Sequence, residues 1–128
     1  MKIKSLMFAL VAVGCMMLTG CKDDPVFDGD LIVGKWVAEV NGSAGTEYYR
    51  YDADGTGVTW DTGDDVHEEE GQPYTWSFDQ STSRLTLIHQ MEMGGVVPKS
   101  YTVTALDEQR LEYKDNSSQK FAYIRVSE

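Results

Sequence analysis

Three stretches of this chain hold side chains that could do chemistry. Residues 61–70 include Asp61, Asp64, Asp65, Glu68, Glu69 and Glu70 together with His67. Calcium takes several carboxylate oxygens, and zinc takes imidazole with carboxylate, so the run offers ligands to either ion. No fixed ligand spacing emerges, and a run of like charges repels itself into a solvated loop. Such a loop would act as a lid or face a partner. Asp52-Ala53-Asp54-Gly55-Thr56-Gly57 sets alternate acids beside glycines, an order that can wrap oxygens around calcium. Gly63 stands where a bidentate glutamate would complete the set, which favours a hairpin turn with glycine at positive φ. His89, Met91 and Met93 alternate, and a strand would present them on one face as soft ligands for copper(I). Methionine also fills gaps at strand ends without any metal. Neither a metal nor a cofactor is expected.

Catalysis finds little support. His67 and His89 are the only histidines, and neither has a nucleophile at a telling spacing. The chain has no Gly-x-Ser-x-Gly elbow, no His-Glu-x-x-His and no phosphate-cradling glycine loop. A non-catalytic protein is expected. The formal charge of the 128 residues is −10, with 21 acidic against 11 basic side chains. That balance argues against nucleic acid as a partner, because phosphate must be neutralised by clustered Lys and Arg. It also argues against adsorption to an anionic membrane by charge.

The N-terminus carries an address. Lys2 and Lys4 precede an apolar run over residues 6–18, too short to span a bilayer comfortably and placed like a secretory signal. Leu18-Thr19-Gly20-Cys21 then resembles the lipobox of bacterial lipoproteins. The resemblance implies cleavage of residues 1–20, acylation of Cys21 and an outer-membrane location. Several acyl chains together anchor stably. Cys15 would be discarded and Cys21 lipidated, so no thiol is left for a disulfide or a thiolate metal site. The mature chain would keep 9 basic and 21 acidic residues, a charge of −12. Lys22-Asp23-Asp24 resembles a short export signal of surface lipoproteins in Gram-negative bacteria, which implies a domain facing the medium. The alternative for that triplet is a plain solvated linker, and residues 21–30 as a whole are expected to form a lipidated acidic tether.

From residue 31 to 128 a single domain is expected. No segment sustains a helical period. Eight short runs read as strands, over 35–40, 47–51, 56–60, 74–78, 84–90, 100–105, 110–114 and 121–126. The alternation is clearest where Tyr74, Trp76 and Phe78 interleave with Thr75 and Ser77. Trp36, Ala38 and Val40 are expected on one face of the first strand, and Tyr101, Val103 and Ala105 on one face of the sixth. Short loops between eight strands favour an all-β, antiparallel up-and-down barrel, which has no free edges. The longer gaps over 62–73 and 91–99 keep an immunoglobulin-like sandwich as the alternative.

Gly34-Lys35-Trp36 at the first strand resembles the Gly-x-Trp signature of the lipocalin superfamily. The whole of 31–126 resembles the small lipocalin-like domains of Gram-negative lipoproteins. That resemblance implies a barrel closed at one end by Trp36 under a basic residue near the last strand, here Arg125. It also implies a small apolar or amphipathic ligand at the mouth, with Trp60, Tyr74, Trp76 and Tyr101 as candidate binding residues. Tyr and Trp suit that place because each joins an apolar body to a polar tip. A filled barrel whose acidic loops contact an envelope or transport protein is the alternative.

Overall fold

The hairpin turns dictate the architecture. In the computed structural model, which describes residues 26–91 and 93–127, Asn41 and Gly42 take φ of 53° and 83°. Asn-Gly suits a tight two-residue hairpin because both positions need positive φ. It reverses β1 (Gly34–Val40) into β2 (Ser43–Tyr51). Asp52 and Gly55 close the next turn into β3 (Thr56–Asp61), which leads through a longer loop to β4 (Gln72–Asp79). Further hairpins connect β5 (Arg84–Gln90), β6 (Val96–Leu106), β7 (Arg110–Lys114) and β8 (Lys120–Arg125). Asp79, Asp107 and Asp115 head three of these turns, each accepting a backbone N–H from two residues ahead. Part of the acidity of this chain is therefore turn chemistry.

All neighbouring strands are antiparallel, and β1 pairs with β8 through Trp36↔Arg125, Val37↔Ile124 and Ala38↔Tyr123. The sheet is a closed eight-stranded up-and-down barrel with the lipocalin-like topology. This closure excludes the sandwich alternative. The expected signal peptide, Cys21 and the Lys22-Asp23-Asp24 triplet lie outside the described residues.

Three local expectations differ from the structure. β2 begins at Ser43 rather than 47, because Asn41-Gly42 makes the whole turn. β6 begins at Val96 rather than 100, so the gap after β5 is only a short hairpin loop. Ala105 does not share a face with Val103. A bulge between them pairs Val103 with the inward Tyr113 but Ala105 with the outward Glu112, and brings Leu106 inward beside Leu111.

The interior is built on Trp36, Tyr51, Tyr74, Leu85, Leu87, Leu111 and Tyr113, all essentially inaccessible to solvent. Ile32, from a 3-10 turn over Gly29–Ile32, completes it from below. Every described strand and core residue lies between Phe27 and Arg125, so this stretch holds the whole closed barrel. The end of the segment read as a tether joins it: Phe27 packs against the core and Gly29 abuts the Phe78 ring.

Candidate functional site

One end of the barrel is plugged. The 3-10 turn Gly29–Ile32 crosses the floor, and the Trp36 indole N–H donates to the Ile32 carbonyl at 2.9 Å. The Arg125 guanidinium lies over the Trp36 ring, 4.3 Å from its centroid. Its N–H groups donate to the Val33 carbonyl at 2.9 Å, the Glu108 carbonyl at 2.6 Å and the Leu31 carbonyl. The glycine of Gly-x-Trp now has a physical reason. Gly34 has φ of 137°, and a Cβ there would collide with the Arg125 guanidinium.

The opposite end is open. β6 has 11 residues and β7 only five, and their pairing starts at Thr102↔Lys114. Residues 96–101 therefore overrun β7 and pair on the β5 side alone. Pro98 lies in this overhang, where one side of the strand serves no ladder. A cavity of about 550 Å³ opens between the overhang and the β7–β8 turn. Its rings are Tyr49, Tyr101, Phe121 and Tyr123, and its charged groups are Glu47, Lys99 and Asp115. Tyr49 and Tyr123 meet edge to face at 5.5 Å, as do Tyr101 and Phe121 at 5.7 Å. Below them the Tyr113 and Tyr123 hydroxyls bond at 2.9 Å. The volume is in the range of small-molecule pockets.

Electrostatics keep these phenols protonated. Burial, followed by the charges of Asp115 and Glu47, raises Tyr101 above the usual range. Burial is also the largest cause for Tyr49 and Tyr123, with the Glu47 charge contributing to each. They are neutral hydrogen-bonding groups at neutral pH, not bases. His89 packs on the Tyr74 ring at 5.4 Å, and burial, then Lys99, lowers its pKa.

The four aromatics expected to line a mouth are dispersed. Tyr101 lines the cavity. Tyr74 lies one ring deeper, beneath Tyr49, with its hydroxyl donating to the Arg50 carbonyl at 2.7 Å and its ring over Gly57. Trp76 sits toward the plugged end, its indole N–H shared between the carbonyls of Asp52 and Thr56. Trp60 is on the outer wall, stacked flat on Tyr48 at 5.2 Å with Lys35 over its ring. The reason is parity: β3 pairs Tyr51 with Gly57 and Tyr49 with Thr59 inside, leaving Tyr48 and Trp60 outside.

The acidic loop after β3 does not cover the mouth. It returns along the outer wall, where Gly71 lies against Val58 and Glu68 accepts from Lys35 at 2.9 Å and Arg50 at 2.8 Å. Asp52 pairs with Arg50, and Asp54 accepts from Thr56, as parts of a turn. Met93 points into solvent, 97% exposed, while His89 is inside. Among the described residues no three His, Cys, Asp or Glu side chains converge as metal ligands.

Sequence reasoning passed over Glu47, Tyr49, Lys99, Asp115, Phe121 and Tyr123 as site residues. A signal for several was present. With Trp36 and Arg125 marking the floor, stepping back by twos along β8 from Arg125 gives Tyr123 and Phe121, and along β2 from Tyr51 gives Tyr49 and Glu47. No protein-family model, no curated protein and no solved structure matches this chain.

Proposed function

We propose that the protein is a non-catalytic outer-membrane lipoprotein, anchored through acyl chains on Cys21, whose barrel binds one small apolar or amphipathic molecule at its open end. The observation that carries this reading is the asymmetry of the barrel. One end is sealed by side chains and the other opens into a ring-lined cavity of about 550 Å³.

Native mass spectrometry tests it. Protein extracted from membranes should carry acyl mass on Cys21, and a chain lacking that mass overturns the anchor. Residues 22–128 incubated with a bacterial lipid extract should gain one discrete, stoichiometric mass. No added mass overturns the carrier reading and favours a second one, an interaction subunit of an envelope or transport complex. That second reading is supported by the β5–β6 tip, where Met91, Met93 and Val96 are 50%, 97% and 61% exposed.

A further inference from the structure

The cavity at the open end has a charge and ring arrangement that selects among amphipathic molecules. Four aromatic rings, Tyr49, Tyr101, Phe121 and Tyr123, contribute to its lining. Aromatic faces attract cations, most strongly where water is excluded. Two carboxylates, Glu47 and Asp115, stand at the same cavity. Glu47 accepts from the Tyr49 hydroxyl at 3.4 Å, so its charge is held beside the rings. Asp115 is fixed by its own turn, accepting from the Ser117 N–H at 2.9 Å and the Gln119 N–H at 3.0 Å. The single opposing charge in the lining, Lys99, is exposed at the overhang, as Glu47 is at its own strand. It rides on a longer, flexible stem, with no hydrogen-bond partner among the described residues holding it to the rings. An anionic head group would meet two carboxylates and only one ammonium. A cationic one would meet rings and two counter-charges, within a strongly acidic chain that steers cations toward it.

We propose that the open-end cavity prefers amphipathic cations, amines or quaternary ammoniums bearing an apolar tail, over anions and neutral molecules of the same tail. This rests on the ligand-binding reading above and names its ligand class. The tail lies against the rings, and the ammonium takes the position between the ring faces and Glu47.

The test is titration calorimetry of residues 22–128 with octyltrimethylammonium, octyl sulfate and 1-octanol, each below its micelle or solubility limit. The expected result is binding of the ammonium roughly tenfold tighter than of the other two, the gain available from cation–ring contact plus charge. Tyr101→Leu keeps apolar volume but loses a π face, and should weaken the ammonium by roughly fivefold while leaving octanol nearly unchanged. Glu47→Gln should weaken the ammonium and tighten the sulfate. Equal binding of all three overturns the preference for cations but leaves the carrier reading standing. Tightest binding of the sulfate overturns it in favour of Lys99 as the head-group partner. Binding of none overturns both.

Discussion

The two ends of this barrel both carry aromatic rings and charged groups and do opposite things. At the floor, the indole N–H groups of Trp36 and Trp76 and three N–H groups of Arg125 donate to backbone carbonyls of the plug and the turns. At the mouth, Tyr49, Tyr101 and Tyr123 meet carboxylates, one another and open space. Aromatic side chains that find backbone partners seal an opening. Aromatic side chains that overhang a short neighbouring strand leave one. Aromatic content alone does not distinguish the two outcomes, but strand length does.

If the floor is the stabilising end, the largest effect belongs to Trp36→Ala. Trp36 is fully buried, and its loss should cost about 3–5 kcal/mol, read from the denaturation midpoint. An unchanged midpoint would break the contrast between the ends. Arg125→Met keeps a linear apolar side chain but removes the carbonyl staples and the cation over Trp36. A cost of about 1–3 kcal/mol is expected. Amide exchange should rise over residues 29–36 with the mouth unaffected; exchange rising equally at both ends would show that the ends are not separate. The smallest effect lies on the wall between them. Hydrogen bonds from Lys35 and then Arg50 hold the Glu68 carboxyl below its usual pKa. Its contribution is therefore present above the unfolded-state pKa and is lost as pH falls through the lower folded value. Glu68→Gln should cost under about 1 kcal/mol at neutral pH, with wild type and variant converging in acid. A difference that persists in acid would remove this ion pair as its cause.

All eight strands were legible in the sequence because period-two alternation and turn residues agree there. What escaped depends on pairing partners rather than on local pattern. Ala105 changed face because one extra residue in β6 is absorbed opposite β7, which no single strand reveals. Trp60 looked like a mouth residue because it is large and apolar, yet its parity is set by Tyr51 facing Gly57 across β2 and β3. Gly57 has room for the Tyr74 ring only because it lacks a Cβ. The acidic loop suggested a lid from its charge, but the cations that hold Glu68 are on β1 and β2, distant in sequence. Of the candidate site, Tyr101 was found directly. Its neighbours required knowing which end is sealed.

The path of the chain into the floor sets a polarity for the whole molecule. Phe27 packs against the core and Gly29 reaches the barrel beside Phe78, at the sealed end. Cys21 precedes Val26 by five residues, a reach of at most about 17 Å. If Cys21 is acylated as proposed, the anchor joins the barrel from its sealed end and the mouth is the end farther from it along the chain. On that reading, a ligand at the mouth and a lipid at Cys21 sit at opposite ends of one barrel, so each can be removed without touching the other.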